Sequence, residues 1–341
     1  MVFDMAKRDA EMVMEMVEKE EKTEKATKKP KVLEDLPGIG DVTAEKLRRS
    51  GYVDFEKIAA ASPHELDEIA EIGVETAKKA ISAARDALEM GYDTADVILE
   101  RRKLVSRVST GSKELDALIG GGVETMAITE AFGKFSSGKS QVGFQVAVNV
   151  QKPAHEGGLG EDSQVLFIDT ESTFRPERIV QLAEANGMNA DKVLKQIHVA
   201  KAINSDHQMI LVDKADEMIR THPIRLIVVD SMTSHFRSDY VGRGALSERQ
   251  QKLNKHVHAL QRLADQYNLA IYITNQVMDK PDIMFGDPTV PIGGHVLAHA
   301  ATYRLYFRKG KEEKRIARLV DSPSMPEGEC VFKVTPKGVT D

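Results

Sequence analysis

The sequence contains one cysteine, Cys330, and few aromatic residues, which make up 5% of the chain. One cysteine cannot form a disulfide within the chain, and Cys330 has no partner cluster for a metal, so we interpret it as structural. No apolar run approaches the roughly 18 to 20 residues that span a bilayer, and no signal-peptide core is present at the N-terminus. These absences predict a cytoplasmic protein without membrane contact.

An excess of positive charge is also missing. The formal net charge is −6, from 47 Lys and Arg against 53 Asp and Glu. A nucleic-acid partner would therefore be bound by a local patch and not by a globally basic surface. With 341 residues, of which 41% are hydrophobic and 29% charged, the chain suits a globular protein with one large and one smaller domain.

Composition and patterning divide the chain into four segments. Residues 1–32 are rich in Glu, Lys and Met and have no long apolar face, which predicts a flexible charged arm. Residues 33–90 have a compact all-α pattern, and residues 91–106 read as a linker with a charged, helix-like stretch. In residues 107–341 strand-like runs alternate with helical patterns, which is typical of an α/β fold around a mostly parallel central sheet.

The all-α segment contains two similar turns, Leu36–Gly40 and Ile69–Gly73, each followed by a helical pattern. The pair resembles helix-hairpin-helix units, whose turns present backbone N–H groups to a phosphate. The same glycines would also close tight αα-hairpins. Residues 33–90 hold seven basic and thirteen acidic side chains, unlike a free-standing DNA binder. Auxiliary DNA contact and a purely structural or docking role therefore both stay open.

A glycine-framed loop, Gly133–Ser140, fits the pattern G-x-x-x-x-G-K-[ST]. Such a loop wraps backbone N–H groups around a β-phosphate, while its lysine reaches the β/γ oxygens and its serine holds Mg²⁺. Val123–Glu130 reads as a strand that enters the loop, and Lys139–Val150 reads as the helix that follows it. This context predicts a nucleotide triphosphate site.

Two strand-like runs end in carboxylates, as expected when ligands bind at the carboxyl edge of a parallel sheet. The run Leu226–Val229 ends in Asp230, which is placed to complete a Mg²⁺ shell. The run Val165–Ile168 is followed by Asp169 and Glu171, either of which could orient an attacking water. Strand alternation puts both on the same side, so spacing does not separate them.

The run Ala270–Thr274 leads into Asn275 and Gln276, whose amide could sense a γ-phosphate or make a plain strand-end hydrogen bond. Residues 235–249 interleave arginines with aromatics and glycine, and residues 277–294 contain further glycines and a lysine. Flexible loops of this kind suit a single-strand backbone, although surface arginines are commonly just solvated.

Several long runs around these motifs carry a resemblance: Ser109–Asp116, Gly120–Glu124, Ile128–Glu130, Asp169–Ile179, Gly242–Gln251, Thr274–Val277, Pro291–His295 and Ala317–Pro323. Together with the P-loop, they resemble the RecA/RadA recombinases, most closely the archaeal RadA branch. The resemblance covers about residues 33–341. It implies a RecA-type P-loop ATPase core preceded by a small helix-hairpin-helix domain.

The resemblance implies roles for individual residues. Catalysis falls to Glu171 as the water-orienting carboxylate, to Lys139, and to Gln276 as the γ-phosphate sensor. Mg²⁺ is held by Ser140 and Asp230. ATP is contacted by Gly133, Phe135, Ser136, Ser137, Gly138, Lys139, Ser140, Gln141 and Arg178, with Arg178 covering the adenine, and by Asp321 and Pro326 of a neighbouring subunit.

Binding of macromolecular partners is implied in the same way. The implied DNA contacts are Arg237, Arg243, Arg249, Lys280, Gly293 and Gly294. Tyr92 and Ala95 occupy a Phe-x-x-Ala position by which one protomer docks into its neighbour, where pockets read alternate side chains.

Four positions depart from the family pattern. Lys134 stands where relatives usually have an acid, and Ser136 stands where they usually have glycine. Ser172 replaces the usual Gly or Asn, and Tyr92 adds a hydroxyl where a phenyl ring is usual. If position 136 needs a positive φ, serine there costs about 1 kcal/mol or more.

These features predict an ATP- and Mg²⁺-dependent, nucleoid-associated strand-exchange recombinase that forms filaments on single-stranded DNA in recombination and repair. Its expected partners are homologous duplex DNA, further copies of itself in a filament or ring, and mediator proteins; dependence on K⁺ stays open. One alternative is a recombination mediator or paralog that has a P-loop but exchanges no strands. Another is a hexameric helicase-type motor on the same core.

Overall fold

The computed structural model describes residues 30–88, 92–242, 244–279 and 289–341. Residues 1–29 of the predicted arm, and the candidate DNA contacts Arg243 and Lys280, lie outside the described residues. The chain divides into two compact units, one reaching to Ile98 and the other beginning at Leu99. This division falls within the segment predicted as a linker. In the described parts of the chain no helix is both long and apolar enough to span a bilayer.

The first unit is helical. A 3₁₀ turn at Leu33–Asp35 precedes α1 (Asp41–Arg49), α2 (Phe55–Ala60), α3 (Pro63–Ala70), α4 (Val74–Ala87) and the start of α5 (Ala95–Arg102). Helix α3 begins with a capping box, in which the Ser62 hydroxyl accepts the Glu65 N–H and the Glu65 side chain returns to the Ser62 N–H. Gly38 has a φ of 78°, and a Cβ there would lie 2.1 Å from Thr76 Cγ2. The first of the two predicted turns therefore packs tightly against the helix of the second.

The second unit alternates helices and strands. Its helices are α6 (Lys113–Leu118), α7 (Lys139–Asn149), α8 (Pro176–Ala185), α9 (Ala190–Lys195), α10 (Ser205–Thr221), α11 (Ser234–Asp239), α12 (Leu246–Tyr267) and α13 (His295–Ala300), with a 3₁₀ turn at Ala154–Glu156. Its strands are β1 (Arg107–Val108), β2 (Val123–Glu124), β3 (Ala127–Gly133), β4 (Gln164–Asp169), β5 (Ile197–Lys201), β6 (Ile224–Asp230), β7 (Ala270–Asn275), β8 (Val277–Asp279), β9 (Thr289–Pro291), β10 (Tyr303–Lys309), β11 (Lys314–Asp321), β12 (Gly328–Thr335) and β13 (Gly338–Thr340).

One large sheet organises this unit, in the order β13-β12-β11-β10-β3-β7-β6-β4-β5. The six strands from β10 to β5 pair in parallel, and β11 to β13 extend the sheet in antiparallel fashion. Neighbouring side chains of β6 point into different cores: Leu226 and Val228 into one, Ile227 and Val229 into the other. Helices therefore cover both faces, and the predicted α/β class with a mostly parallel sheet is confirmed.

The prediction of one continuous strand over Val123–Glu130 is wrong. Met126 has a φ of 59°, in the left-handed region, which interrupts the extended backbone. Strand β2 therefore pairs with β1 in a separate two-stranded sheet, and β3 starts anew at Ala127. The break lets β3 enter the center of the large sheet, between β10 and β7.

A buried histidine on α12 makes the stability of this unit depend on pH. His256 packs 5.6 Å from the Phe236 ring, and its Nε2 lies 3.1 Å from the Gln208 amide nitrogen. Burial lowers the pKa of His256 to about 3. The unfolded chain takes up a proton at its ordinary pKa of about 6.5, which the folded state excludes until far lower pH. The free energy of unfolding therefore falls as the pH drops from about 6.5 toward 3.

We expect this one group to reduce the free energy of unfolding by about 2 kcal/mol between pH 7 and pH 5. Urea unfolding of the parent and of His256→Gln at both pH values measures it, and the variant should lose most of that difference. His258→Gln, an exposed histidine on the same helix, is the matched control. A parent and a His256→Gln variant with equal pH dependence would contradict the assignment.

Candidate nucleotide-binding site

The glycine-framed loop joins β3 to α7 at the middle of the large sheet. Gly133 ends β3, and Lys139 is the first residue of α7. A Cβ on Gly133 would lie 2.2 Å from the Phe307 carbonyl oxygen, so only glycine lets the loop pass β10 this closely. Gly138, the residue before α7, has a φ of 105°, again a conformation that favours glycine. The loop thereby places its N–H groups at the N-terminus of α7, where an anion is stabilised.

A cavity of about 580 Å³ opens above this loop. It lies at the carboxyl ends of β3, β4, β6 and β7, the edge at which the sequence predicts a ligand. It is lined by Gly133–Gln141, Glu171, Thr173, Asp230, Ser231, Thr274, Gln276, Val277, Arg315 and Val334. The predicted residues of the P-loop and the three polar strand ends therefore meet in one place.

The Lys139 side chain folds back onto the P-loop. Its Nζ donates hydrogen bonds to the carbonyl oxygens of Gly133, at 2.9 Å, and of Lys134, at 3.1 Å. Burial lowers the pKa of Lys139, and the nearby carboxylates of Asp230 and Glu171 oppose that shift. A triphosphate would give this ammonium group stronger, charged acceptors than the two carbonyls.

Asp230 ends β6 and is almost fully buried. Its Oδ1 accepts a hydrogen bond from the Thr274 hydroxyl, whereas its Oδ2 is buried without a hydrogen-bond partner in the described structure. Burial raises the pKa of Asp230, and the Thr274 and Ser140 hydroxyls oppose the rise. An unpaired buried carboxylate oxygen beside a serine hydroxyl fits a hard cation, which compensates the charge.

No group of three His, Cys, Asp or Glu side chains forms a metal cage within the described ranges. Ser140 and Asp230 would supply two protein ligands only. That number suits Mg²⁺, which completes its shell with phosphate oxygens and water, and does not suit a self-sufficient structural metal site. The residues present therefore fit a magnesium ion that arrives with a nucleotide.

The two candidate carboxylates after β4 have different surroundings. Asp169 accepts three backbone N–H groups, from Glu171, Thr173 and Phe174, each at 3.1 Å. Its carboxylate therefore shapes the turn and does not line the cavity. Glu171 lines the cavity, and its Oε1 accepts the Ser231 hydroxyl at 2.7 Å and the Gln276 amide at 2.6 Å. Among the described residues, none donates a hydrogen bond to Oε2 of Glu171.

Arg178 does not line the cavity in this chain. Its guanidinium donates to the Gln141 side chain at 2.9 Å and to the carbonyl oxygens of Thr335 and Pro336, both at 2.7 Å. Arg178 thus ties a cavity-lining glutamine to the β12–β13 turn. Asp321 and Pro326 lie exposed at and after the end of β11, outside the cavity of their own chain. Their contact with the ATP of a neighbouring subunit stays a prediction.

Two of the departures from the family pattern adopt left-handed backbone. Ser136 in the P-loop has a φ of 62°, and Ser172 next to Glu171 has a φ of 58°. Position 136 therefore has the positive φ that disfavours a side chain, and serine there costs about 1 kcal/mol in backbone strain.

We expect Ser136→Gly to raise the free energy of unfolding by about 0.5 to 1 kcal/mol, because glycine adopts this φ without strain. Ser136→Ala removes the hydroxyl but keeps the Cβ, so it should give no gain. Denaturant unfolding of the three proteins without nucleotide makes the comparison. If alanine stabilises as much as glycine, the hydroxyl and not the backbone is responsible.

The two segments predicted as loops contain helices and strands near their ends. Residues 235–249 contain α11 and the first turn of α12, because Phe236 is buried and fixes α11 to the core. Arg237 is exposed on α11, and Arg249 is half-buried in the first turn of α12. In residues 277–294, β8 and β9 pair in an antiparallel register that joins Val277 to Pro291.

The glycines after β9 have distinct settings. Gly293 is buried with a φ of 97°, and a Cβ there would lie 2.8 Å from Leu297 Cδ1. Gly294 is exposed and precedes α13. Both therefore shape the return of the chain from the β8–β9 hairpin into α13.

The docking pair predicted in the linker is exposed. Tyr92 is fully accessible, and Ala95 is the first residue of α5. In the single chain residues 92–94 belong to no strand, and α5 begins at Ala95. The two side chains therefore do not lie together on one extended strand.

Sequence reasoning misses six cavity-lining residues outside the P-loop: Thr173, Ser231, Thr274, Val277, Arg315 and Val334. Ser231 and Thr274 directly adjoin predicted motif residues and place hydroxyls against Glu171 and Asp230. Arg315 on β11 and Val334 on β12 close the cavity from the antiparallel strands. Ser231 and Thr274 could have been found by taking one more residue around each strand end, whereas no local pattern marks Arg315 or Val334.

Two family models match the chain. The Rad51 model matches residues 101–341, and the model of the SAM-like helix-hairpin-helix tandem matches residues 31–86. The first match covers the unit that contains the nucleotide cavity, and the second covers the helical unit.

Proposed function

Because the chain belongs to the Rad51 family, we propose that it is an ATP-dependent DNA strand-exchange recombinase that assembles into filaments on single-stranded DNA. The family supports the coarser function, a recombinase-type DNA-binding ATPase. Strand exchange, filament assembly and the archaeal RadA branch are the parts that we add. They are supported by the sequence runs around the P-loop and by the geometry of the cavity.

One contact carries the proposal. The amide of Gln276 donates to Oε1 of Glu171 at 2.6 Å inside the cavity, and Val277, the next residue, begins β8. Gln276, the proposed sensor of the γ-phosphate, is thus the last residue before the hairpin of β8 and β9, a candidate DNA-binding segment. A ligand that draws Gln276 away from Glu171 would move the base of that hairpin, which is how a nucleotide could control DNA binding.

The cavity residues divide the chemistry among themselves. Lys139 and the loop N–H groups would bind the phosphates, and Ser140 and Asp230 would hold Mg²⁺, which would supply positive charge against the charge of the phosphates. Glu171 presents Oε2 to a water and orients it, because its Oε1 is fixed by Ser231 and Gln276. Hydrolysis then needs positioning and no covalent intermediate.

DNA binding falls to the two segments that follow the carboxyl ends of β6 and β7, the edge of the sheet at which the cavity lies. Arg237 and Arg249 belong to the first, with Arg243 outside the described residues; Gly293 and Gly294 belong to the second, with Lys280 likewise outside. The exposed guanidinium group of Arg237 and the exposed backbone of Gly294 suit phosphate contacts without base specificity.

Self-association would use Tyr92 and Ala95 of a neighbouring copy. Strand β5 ends the large sheet and pairs only with β4 among the described strands, so its outer edge is open to a further strand. Val199 on β5 and Ile203, two residues beyond the end of β5, are 44% and 75% exposed. The neighbour's segment is expected to add to this edge with its alternate side chains in pockets. Repeating this head-to-tail contact gives a ring if the rotation closes on itself and a filament if it does not.

A D-loop assay tests the proposal. The protein is mixed with single-stranded DNA and a homologous supercoiled duplex, once with ATP and once with a non-hydrolysable analogue. We expect joint molecules with both nucleotides and none without nucleotide. ATP hydrolysis and DNA binding without joint molecules would instead identify a mediator or paralog, the second candidate function.

A further inference from the structure

One fully buried amide joins the two candidate DNA-binding segments to the strand that enters the P-loop. Asn275, the last residue of β7, donates from Nδ2 to Oε1 of Glu130 at 2.7 Å and to the Ile292 carbonyl oxygen at 2.6 Å. Its Oδ1 accepts the Thr233 hydroxyl at 2.7 Å. The three partners come from three separate parts of the chain.

Each partner lies at a functional boundary. Thr233 directly precedes α11, which carries Arg237. Ile292 directly precedes Gly293, and its N–H donates to the Gln276 carbonyl oxygen at 3.0 Å. The amide therefore holds the beginning of the first segment and the end of the second.

Glu130 connects the amide to the P-loop strand. It lies on β3, shortly before Gly133, and its side chain is fully buried. Its Oε2 accepts Nε of Arg304 at 2.7 Å, and the Arg304 guanidinium lies 5.2 Å from the center of the Phe132 ring. A buried ion pair adds little net stability compared with apolar packing, so its use here favours a role in fixing one arrangement of the strands.

The chemistry requires an amide at position 275. Glu130 and the Ile292 carbonyl both need a donor, while the Thr233 hydroxyl needs an acceptor, and only an amide offers both in one side chain of this size. A carboxylate there would face the Glu130 carboxylate and the Ile292 oxygen with no donor. An apolar side chain would leave all three groups unsatisfied in a buried site.

We propose that Asn275 is a positioning residue that couples the two DNA-binding segments to each other and to the P-loop strand. The inference rests on the proposed function, because it assigns a task to segments that are there proposed to bind DNA. Gln276 responds to the nucleotide, and the neighbouring Asn275 keeps both segments in register so that they respond together.

The test compares single-stranded DNA affinity in the presence of ATP with nucleotide affinity, in the full chain. We expect Asn275→Asp to weaken DNA binding roughly 10- to 100-fold, the range given by one to two unsatisfied buried groups. Nucleotide affinity should stay within about 3-fold, since Asn275 does not line the cavity. Thr233→Val, which keeps the shape and removes the hydroxyl, should weaken DNA binding by a smaller factor, and Thr233→Ser should restore it.

Asn149→Ala is the matched control for loss of a buried amide. Asn149 is 1% exposed and bonds to Ser109 and Gln145 at the far end of α7, away from both segments. It should lower the unfolding temperature without changing DNA affinity. An equal loss of DNA affinity in Asn149→Ala would overturn the inference, because general destabilisation would then explain the effect.

Fluorescence gives a readout that a merely structural role would not move. The sequence contains no tryptophan, so Tyr240→Trp reports only on the first segment and Met278→Trp only on the second. In the otherwise unchanged chain both reporters should respond to ATP and DNA at the same concentrations. With Thr233→Val added, the Tyr240→Trp reporter should respond at different concentrations of ATP and DNA from the Met278→Trp reporter.

The outcomes separate the two proposals. A parent that binds no single-stranded DNA with ATP overturns the proposed function and this inference with it. A parent that binds DNA, with Asn275→Asp and Thr233→Val binding equally well, overturns the inference alone. Reporters that still respond together in Thr233→Val do the same.

Discussion

Lys139→Ala is expected to weaken nucleotide binding by at least about 100-fold, which corresponds to about 3 kcal/mol. The ammonium group is partly buried at the mouth of the P-loop and bonds only to carbonyl oxygens of Gly133 and Lys134 among the described residues. A phosphate would be its first fully charged partner, and charge-assisted bonds of this kind are the strong ones. Nucleotide-dependent assembly on DNA should be lost together with nucleotide binding.

Lys152→Ala is the matched control for Lys139→Ala. Burial also lowers the pKa of Lys152, and its Nζ donates to Oδ1 of Asn186 at 2.7 Å, away from the cavity. Titration with a fluorescent ATP analogue should show parent-like affinity for Lys152→Ala only. Filaments that form with ATP in Lys139→Ala would contradict the proposed role of the P-loop as the switch for assembly.

Glu171→Gln is expected to slow hydrolysis by roughly 10²- to 10⁴-fold while nucleotide affinity stays within a few-fold. The amide keeps the bonds to Ser231 and Gln276 close to their present geometry, since it retains an oxygen acceptor. It cannot take up a proton from water as a carboxylate does. Single-turnover hydrolysis measures the rate, and assemblies on DNA formed with ATP should persist much longer than those of the parent.

Two further variants show whether this effect belongs to Glu171. Glu177→Gln, an exposed acid on α8, should hydrolyse ATP at the parent rate. Asp169→Asn should chiefly lower the unfolding temperature, because it weakens three bonds to backbone N–H groups. Hydrolysis that survives in Glu171→Gln and fails in a well-folded Asp169→Asn would transfer the role to Asp169.

The parts of the site that could be predicted are those fixed by local spacing. The P-loop, Asp230 and Gln276 follow from strand-end polarity and a short motif, because the carboxyl ends of parallel strands meet at one edge. Alternation could not separate Asp169 from Glu171, since both lie on one side of an ideal strand. In the structure their surroundings differ, because β4 ends at Asp169 and the backbone at Ser172 adopts a left-handed conformation.

Other features depend on contacts between distant segments and leave no local signal. Arg315 and Val334 reach the cavity only because β11 and β12 extend the sheet beyond β10. The helix α11 at the start of residues 235–249 depends on burial of Phe236 in the core. The partners of Asn275 are likewise set by topology, and the sequence shows only a polar residue at a strand end.

Closure of the cavity by β11 and β12 has a consequence for biosynthesis. Gly133 emerges from the ribosome long before Val334, yet both line the same cavity. A growing chain therefore contains the P-loop before Arg315 and Val334, which close the cavity, have been synthesised. A nucleotide would therefore meet the complete lining of the cavity only after β12 has been synthesised and has joined the sheet.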